Sequence, residues 1–207
     1  MNRVSDDKRV LYTVGHSNHE MPAFIELLDL HGISVVADVR SSPYSRYSSQ
    51  FNRGHLEAML KQAGIGYVFL GEELGARRSE PECLVDGKVR FDRVPKSLLF
   101  EQGVARLAAL TAEHRVALMC SEKDPITCHR TILICRNLRS DDLEIRHILE
   151  DGSLETQTQA EDRLLTLWKL PPGDLFDSKE TFVEEAYNRQ GERIAYTDST
   201  ENSQEYL

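Results

Sequence analysis

The chain has 207 residues, 40% of them apolar and 29% charged, ordinary values for a globular protein with room for one sizeable core and little for a second. Its formal charge of -9 sits mostly in residues 151–207, which hold 13 acidic and 5 basic side chains, whereas residues 1–150 hold 21 and 20. That distribution excludes the global basic footprint of a nonspecific DNA binder but leaves the body free to take an anionic ligand. No apolar run approaches the ~20 residues of a membrane span, and "MNRVSDDKRV" has no apolar signal core, so a cytoplasmic chain with no membrane partner is expected.

In chain order, "RVLYTVG" (9–15) reads as a strand ending in glycine, and "MPAFIELLDLHG" (21–32) spaces Phe24, Leu27, Leu28 and His31 along one helix face. "ISVVADV" (33–39) is nearly all apolar, the pattern of a strand covered on both sides. A helix over 54–64, a strand over 65–71 and an irregular insertion from Glu72 to about Lys96 follow. Then come a helix over 97–114, a strand over 115–120, a helix over 128–138 and a strand over 143–150. The repeated alternation predicts an α/β fold: a single domain with a central, mostly parallel sheet of about five strands, helices on both faces and C-terminal helices added. Residues 1–150 are expected to form the α/β core carrying a polar site, 151–196 a helical extension packed on it, and 197–207 a disordered acidic tail.

In such sheets ligands bind beyond the carboxyl ends of the strands, and the polar clusters follow that rule. His16-Ser17-Asn18 stands after the first strand; Asp38, Arg40, Arg46, Tyr47 and Gln50 after the second; Glu72 to Arg78 after the third; Cys120 to Arg130 after the fourth. Arginine offers a planar fork suited to phosphate, and a carboxylate such as Asp38 can orient a histidine or buttress an arginine. Each has a plainer reading: His16 as a structural hydrogen-bonder, Ser17 or Asn18 as helix caps, and the Asp38–Arg40 pair as a loop brace. The insertion from Glu72 is of a length that often serves as a lid.

In a reducing compartment the four cysteines are expected free. Cys135 reads as a core residue, Cys83 as a loop residue without context, and Cys120 and Cys128 as functional. A cysteine opening a helix gains thiolate character from the orphan N–H groups, which makes Cys128 the expected nucleophile. Cys120, Cys128, His129 and His16 could together hold a metal, but no CxxC or HxxxH spacing supports it, so neither metal nor cofactor is expected.

Five segments, "TVGHSN", "DVRSSPYSRYSSQF", "YVFLGEELGARR", "LMCSEKDPITCHR" and "AYNRQGERIAY", resemble in series the domain-of-unknown-function family 488, over most of the chain. The resemblance implies a compact α/β domain with a polar site and names no reaction. It carries over His16, Ser17, Asp38, Arg40, Arg46, Gln50, Phe51, Leu74, Gly75, Cys120, Glu122, Cys128, His129 and Arg130 as motif positions.

The expected function is therefore an enzyme acting on a phosphate-bearing substrate, a nucleotide or nucleic-acid end. Cys128, His129, His16 and Asp38 take the catalytic roles, and Arg40, Arg46, Tyr47, Gln50, Glu122 and Arg130 bind the substrate. Two alternatives stay open: a non-catalytic nucleotide- or phosphate-binding module, and a thiol or sulfur-transfer protein using Cys120 and Cys128. The oligomeric state is not legible.

Overall fold

The computed structural model describes residues 9–174 and 176–197; most of the tail expected over 197–207 lies outside them. Five strands run parallel: β1 (Arg9–Gly15), β2 (Val35–Asp38), β3 (Gly66–Phe69), β6 (Val116–Cys120) and β7 (Leu143–Ile148). A sixth, β8 (Leu154–Thr156), adds antiparallel to β7, so the sheet reads β3-β2-β6-β1-β7-β8. A short hairpin, β4 (Leu84–Val85) and β5 (Lys88–Val89), stands apart.

Alternating strand residues divide the core into two layers, as the period of two requires. Tyr12, Val14, Val36, Ala117 and Met119 face α1 (Met21–Leu30) and α2 (Arg53–Gln62), which bury Phe24, Leu28, Leu56 and Leu60. Leu11, Val35, Ala37, Val116, Leu118 and Cys120 face the other layer. That layer holds α4 (Leu98–Glu113), α6 (Gln157–Trp168) and α7 (Lys179–Ile194). It also holds a π-helical segment, Arg130–Cys135, that runs on into α5 (Arg136–Leu138).

The helix expected over 128–138 is thus π-wound through its first half, and all six residues of that half are buried. Cys128 precedes it in extended backbone (φ -122°, ψ 142°) and is not the opening residue of an α-helix, so the macrodipole argument for a thiolate loses its footing.

Strand order explains where the chain opens. β1 and β2 leave the sheet toward the α1/α2 layer, while β6, lying between them, leaves toward the opposite layer. Right-handed crossovers in opposite directions produce such a divergence, and the crevice they create lies at the carboxyl end of β6. Gly15 pairs with Cys120 there, and Asp38 with Met119 and Phe69, so His16, Asp38, Glu72 and Cys120 all follow the same sheet edge.

The insertion from Glu72 is pinned down. It begins inside α3 (Gly71–Leu74) and contains the β4–β5 hairpin; Arg90 N–H donates to the Cys83 carbonyl and Val89 N–H to the Tyr196 carbonyl. Cys83 is fully buried, contrary to its reading as a polar-loop residue, and joins the core with Val89, Phe91 and Val94. A lid free to swing is not what this packing describes.

Two features of the frame give tests. A Cβ at Gly15 would stand 1.9 Å from the Glu122 carbonyl oxygen, an approach only glycine permits. Gly15→Ala should therefore cost about 3 kcal/mol by overpacking, lowering Tm by roughly 6–12 °C for a chain of this size. A variant melting with the wild type would show that the 121–123 loop does not rest on β1.

The second feature is His147, fully buried, with Nδ1 2.8 Å from Thr13 Oγ1 and Nε2 3.0 Å from Gln157 Oε1. Gln157 Oε1 can only accept, so Nε2 carries the proton and Nδ1 accepts from Thr13, whose oxygen in turn accepts from Arg130 Nε–H (3.3 Å). Burial, then the Arg130 charge, lower the His147 pKa from 6.5 to about 3. Because the folded pKa lies below the unfolded one, the unfolded chain binds the extra proton; stability is intact above about pH 6.5 and falls as pH drops from there toward 3, by about 1.4 kcal/mol per unit. Urea unfolding between pH 7 and 5 should show this slope, and His147→Asn should flatten it. An unchanged slope in the variant would mean that His147 titrates normally in the folded protein.

Candidate functional site

At the carboxyl end of β6 a cleft of about 240 Å³ is lined by Arg40, Ser41, Ser42, Ala76, Arg77, Cys120, Ser121, Glu122, His129, Ile194 and Tyr196. Three groups of residues build it.

The floor comes from the turn after β6. Glu122 Oε2 lies 3.0 Å from both Cys120 Sγ and Cys128 Sγ, each thiol in position to donate to it. His129 Nδ1 lies 3.5 Å from Cys120 Sγ and 3.9 Å from Cys128 Sγ. Its other nitrogen, Nε2, donates to the Val39 carbonyl oxygen at 3.0 Å, because a carbonyl only accepts. That bond fixes the tautomer and leaves the Nδ1 lone pair turned toward the two sulfurs. One sulfur, one carboxylate oxygen, one further sulfur and one imidazole nitrogen therefore lie within 4.8 Å of one another. Cys120, Cys128 and His129 are buried, and Glu122 keeps an exposed side on the cleft.

Electrostatically the two thiols act as a pair. Burial works to raise Cys128, but the hydrogen bond from Cys120, the Arg130 charge and His129 outweigh it and hold Cys128 well below an ordinary thiol. Burial and the Cys128 sulfur push Cys120 well above that range. The first proton leaves the pair easily and the second is retained. Burial, then the Cys128 charge, raise the Glu122 carboxyl, while for His129 the bond and charge of Cys128 overcome the lowering effect of burial. For Cys135 burial outweighs the lowering effect of the Arg130 charge and pushes the thiol up to about 12, and the residue packs in the core.

The wall comes from β1 and β2. Arg40 Nε–H and Nη2–H donate to the two oxygens of Asp38 at 2.9 and 2.7 Å; Nη2 also donates to the Phe51 carbonyl (2.9 Å), and Nη1 to His16 Nε2 (3.1 Å). Four of its five N–H groups are thereby spent, and one, on Nη1, remains for the cleft. Tyr67 O–H donates to Asp38 Oδ2 at 2.8 Å. His16 stacks on Phe51 with ring centroids 4.2 Å apart and donates from Nδ1 to the Ser17 carbonyl. Burial, then the Arg40 charge, lower its pKa to about 4, so it is neutral near pH 7 and serves as an acceptor. Asp38 and His16 thus hold Arg40, and neither joins the Cys120–Cys128–His129 cluster.

The rim comes from residues that sequence reasoning left without a role. Ser41 Oγ accepts from Arg77 N–H at 2.9 Å, and the exposed Arg77 guanidinium lies 4.8 Å over the Tyr196 ring. The signals were there, in "GEELGARR" and the late "AYNRQGERIAY", but nothing in their spacing says that they meet.

The expected arginine trio does not converge. Arg130 is fully buried, with Nε on Thr13, Nη1 on the Glu122 carbonyl (2.6 Å) and Nη2 on the Lys123 carbonyl (3.1 Å), so it braces the turn from beneath and presents nothing to a solute. Arg46 and Tyr47 are exposed and outside the cleft lining, with Tyr47 97% exposed. Gln50 Nε2 donates to the His19 carbonyl (3.2 Å) and ties two loops together. No helix among the described residues is long and apolar enough to cross a membrane.

Neither a curated protein nor a solved structure matches the chain. A family model does, over residues 20–136, a span that includes Asp38, Arg40, Cys120, Glu122, Cys128, His129 and Arg130, and the chain belongs to the family described as Domain of unknown function DUF488.

Proposed function

We propose that the chain is an enzyme acting on a phosphate-bearing substrate, a nucleotide or a nucleic-acid end, bound in the cleft at the carboxyl end of β6. One observation carries the reading: two guanidinium groups, Arg40 and Arg77, share a small polar cleft with Cys120, Glu122 and His129. Arg77 is the anchor, since its fork is free of ion pairs among the described residues and stands at the rim; Arg40, paired with Asp38, adds its single remaining N–H. Ser41 and Ser42 supply hydroxyl groups beside them.

A cleft of about 240 Å³ admits a phosphate with part of a sugar, so a base stays outside. The chain runs from Ser42 straight into a loop where Tyr44 and Tyr47 are 66% and 97% exposed, with Arg46 between them. Exposed aromatic rings on the loop that continues from Ser42 give a base a surface to stack on. Catalysis is favoured over mere binding by Glu122: a module built only to hold an anion gains nothing from a carboxylate on the cleft floor, which repels it. A floor of thiol, imidazole and carboxyl groups supplies instead a nucleophile and an acid or base within reach of the held phosphate.

The test is thermal shift with inorganic phosphate, pyrophosphate, mononucleotides and a short 5′-phosphorylated oligonucleotide, followed by titration of whichever stabilises the protein. Arg77→Ala should weaken that ligand by roughly 10- to 100-fold, the loss of one hydrogen bond to a charged group. Absence of any stabilising anion, or equal affinity in the variant, overturns the reading.

A further inference from the structure

We propose that Cys120, Cys128, His129 and Glu122 form a binding centre for one divalent metal ion of the zinc class, with Glu122 in the position that faces the cleft. The inference rests on ligand geometry alone; it uses the same floor as the substrate reading, leaves the anion contacts of Arg77 and Arg40 unchanged, and makes the thiols and the imidazole ligands in place of nucleophile and base.

The two distances from His129 Nδ1 to the sulfurs match a tetrahedral site, and all four ligand atoms lie within 4.8 Å of one another. With Zn–S near 2.3 Å and Zn–N near 2.0–2.1 Å, sulfur and nitrogen ligands of one ion stand about 3.6 Å apart. His129 Nδ1 lies 3.5 and 3.9 Å from the two sulfurs already. The carboxylate oxygen is closer, at 3.0 Å to each sulfur, a hydrogen-bonding distance. An ion replacing the thiol protons moves it outward by about half an ångström, into the open side of the cleft.

The surroundings are those that a ligand set needs. A ligating imidazole is ordinarily held by a second hydrogen bond from its far nitrogen, and His129 Nε2–H makes that bond to the Val39 carbonyl. The backbone N–H of Arg130 points at Cys128 Sγ from 3.4 Å, a donor to a sulfur carrying negative charge. Gly15 lets the Glu122 carbonyl sit against β1, and Arg130 grips that carbonyl, so the turn that carries the ligands is fixed from below. Two thiolates with an imidazole and a carboxylate suit zinc, or iron(II) in the same geometry, and disfavour magnesium and calcium, which take oxygen ligands. With Glu122 as the fourth ligand the ion is enclosed by protein, and Glu122, exposed on the cleft, is the one ligand that water or a solute can displace.

On binding, the ion displaces the protons held by the Cys120–Cys128 pair to solvent; no electron is transferred, and the sulfurs stay at the thiolate level. The sequence hid this arrangement because the seven residues between Cys120 and Cys128 match no metal-binding spacing, and the fold closes the gap.

The experiment is metal analysis of the full-length protein, purified without affinity metal and reconstituted with zinc under reducing conditions. About one zinc per chain is expected, with at least 100-fold weaker zinc affinity in Cys120→Ser and Cys128→Ser and a smaller loss in Glu122→Gln. Because the serine variants could misfold, cobalt(II) is added to the wild-type protein: tetrahedral ligand-field bands with a thiolate charge-transfer band are expected, bleached by zinc. Substoichiometric zinc after reconstitution overturns the proposal, as do equal zinc in the Cys120→Ser/Cys128→Ser protein and an octahedral cobalt spectrum. So does isolation of a stable Cys120–Cys128 disulfide whose reduction restores no metal uptake. Anion binding is not read in any of these, so a failure here leaves the phosphate reading standing, and the reverse.

Discussion

The site depends on one buried cation. Arg130 has no exposure, and no carboxylate lies within ion-pair distance of it among the described residues; its guanidinium donates instead to two carbonyls and a hydroxyl. Burying an unpaired charge costs several kcal/mol unless other groups compensate it. Here the compensation comes from the Glu122 and Lys123 carbonyl dipoles and the Thr13 hydroxyl, while the same charge works to lower the neighbouring Cys128 thiol. The turn after β6 therefore has one shape it can take: it must bring those carbonyls down onto the guanidinium, and in doing so it brings Glu122 between the two cysteines. Arg130 is the foundation of the site and not part of its ligand surface.

A second brace has the same logic in the neighbouring layer. Asp38, fully buried at the end of β2, accepts from Arg40 and from Tyr67, and His16 takes a further Arg40 proton. Such a network fixes the guanidinium plane at the expense of its donors. The crevice between divergent crossovers is thus held open by two buried arginines, one from each layer, each satisfied mainly by the protein itself. What is left over for a ligand is small and directional: one N–H of Arg40, the fork of Arg77, and the floor.

Much of the frame was legible because it follows from local pattern. The nearly all apolar 33–39 segment contains a strand covered on both faces, and glycine- or polar-terminated strands put His16, Asp38, Glu72 and Cys120 at one edge. Residue type, however, does not say whether a group faces ligand or scaffold. Arg130 and Arg46 read alike in the sequence, yet one is sealed and the other exposed, because that choice depends on what the opposite strand offers, here the Thr13 hydroxyl. Cys128 read as a helix opener, and the π-helical winding of 130–135 could not be inferred from spacing. Cys83 looked like a loop residue because its partners, Val89, Phe91 and Val94, come from an insertion without a regular period.

The matched family segment, residues 20–136, contains the floor and both bracing arginines, but not the whole cleft. Ile194 and Tyr196 come from the end of α7 and the residues just beyond it. That helix is held by contacts of its own: Tyr187 O–H donates to Glu161 on α6, Gln190 Nε2 donates to the Ile126 carbonyl beside the reactive turn, and Gly191 lets Phe91 pack close. His147 and Gln157 continue the chain of donors from Arg130 through Thr13 toward the same helices. The floor residues and the wall thus reach the cleft from different parts of the chain, joined by a hydrogen-bonded path through the sheet. Changes in α7 can therefore reshape the cleft through Tyr196 while leaving Cys120, Glu122, Cys128 and His129 in place, because those four are held from β6 and the turn after it and not from α7.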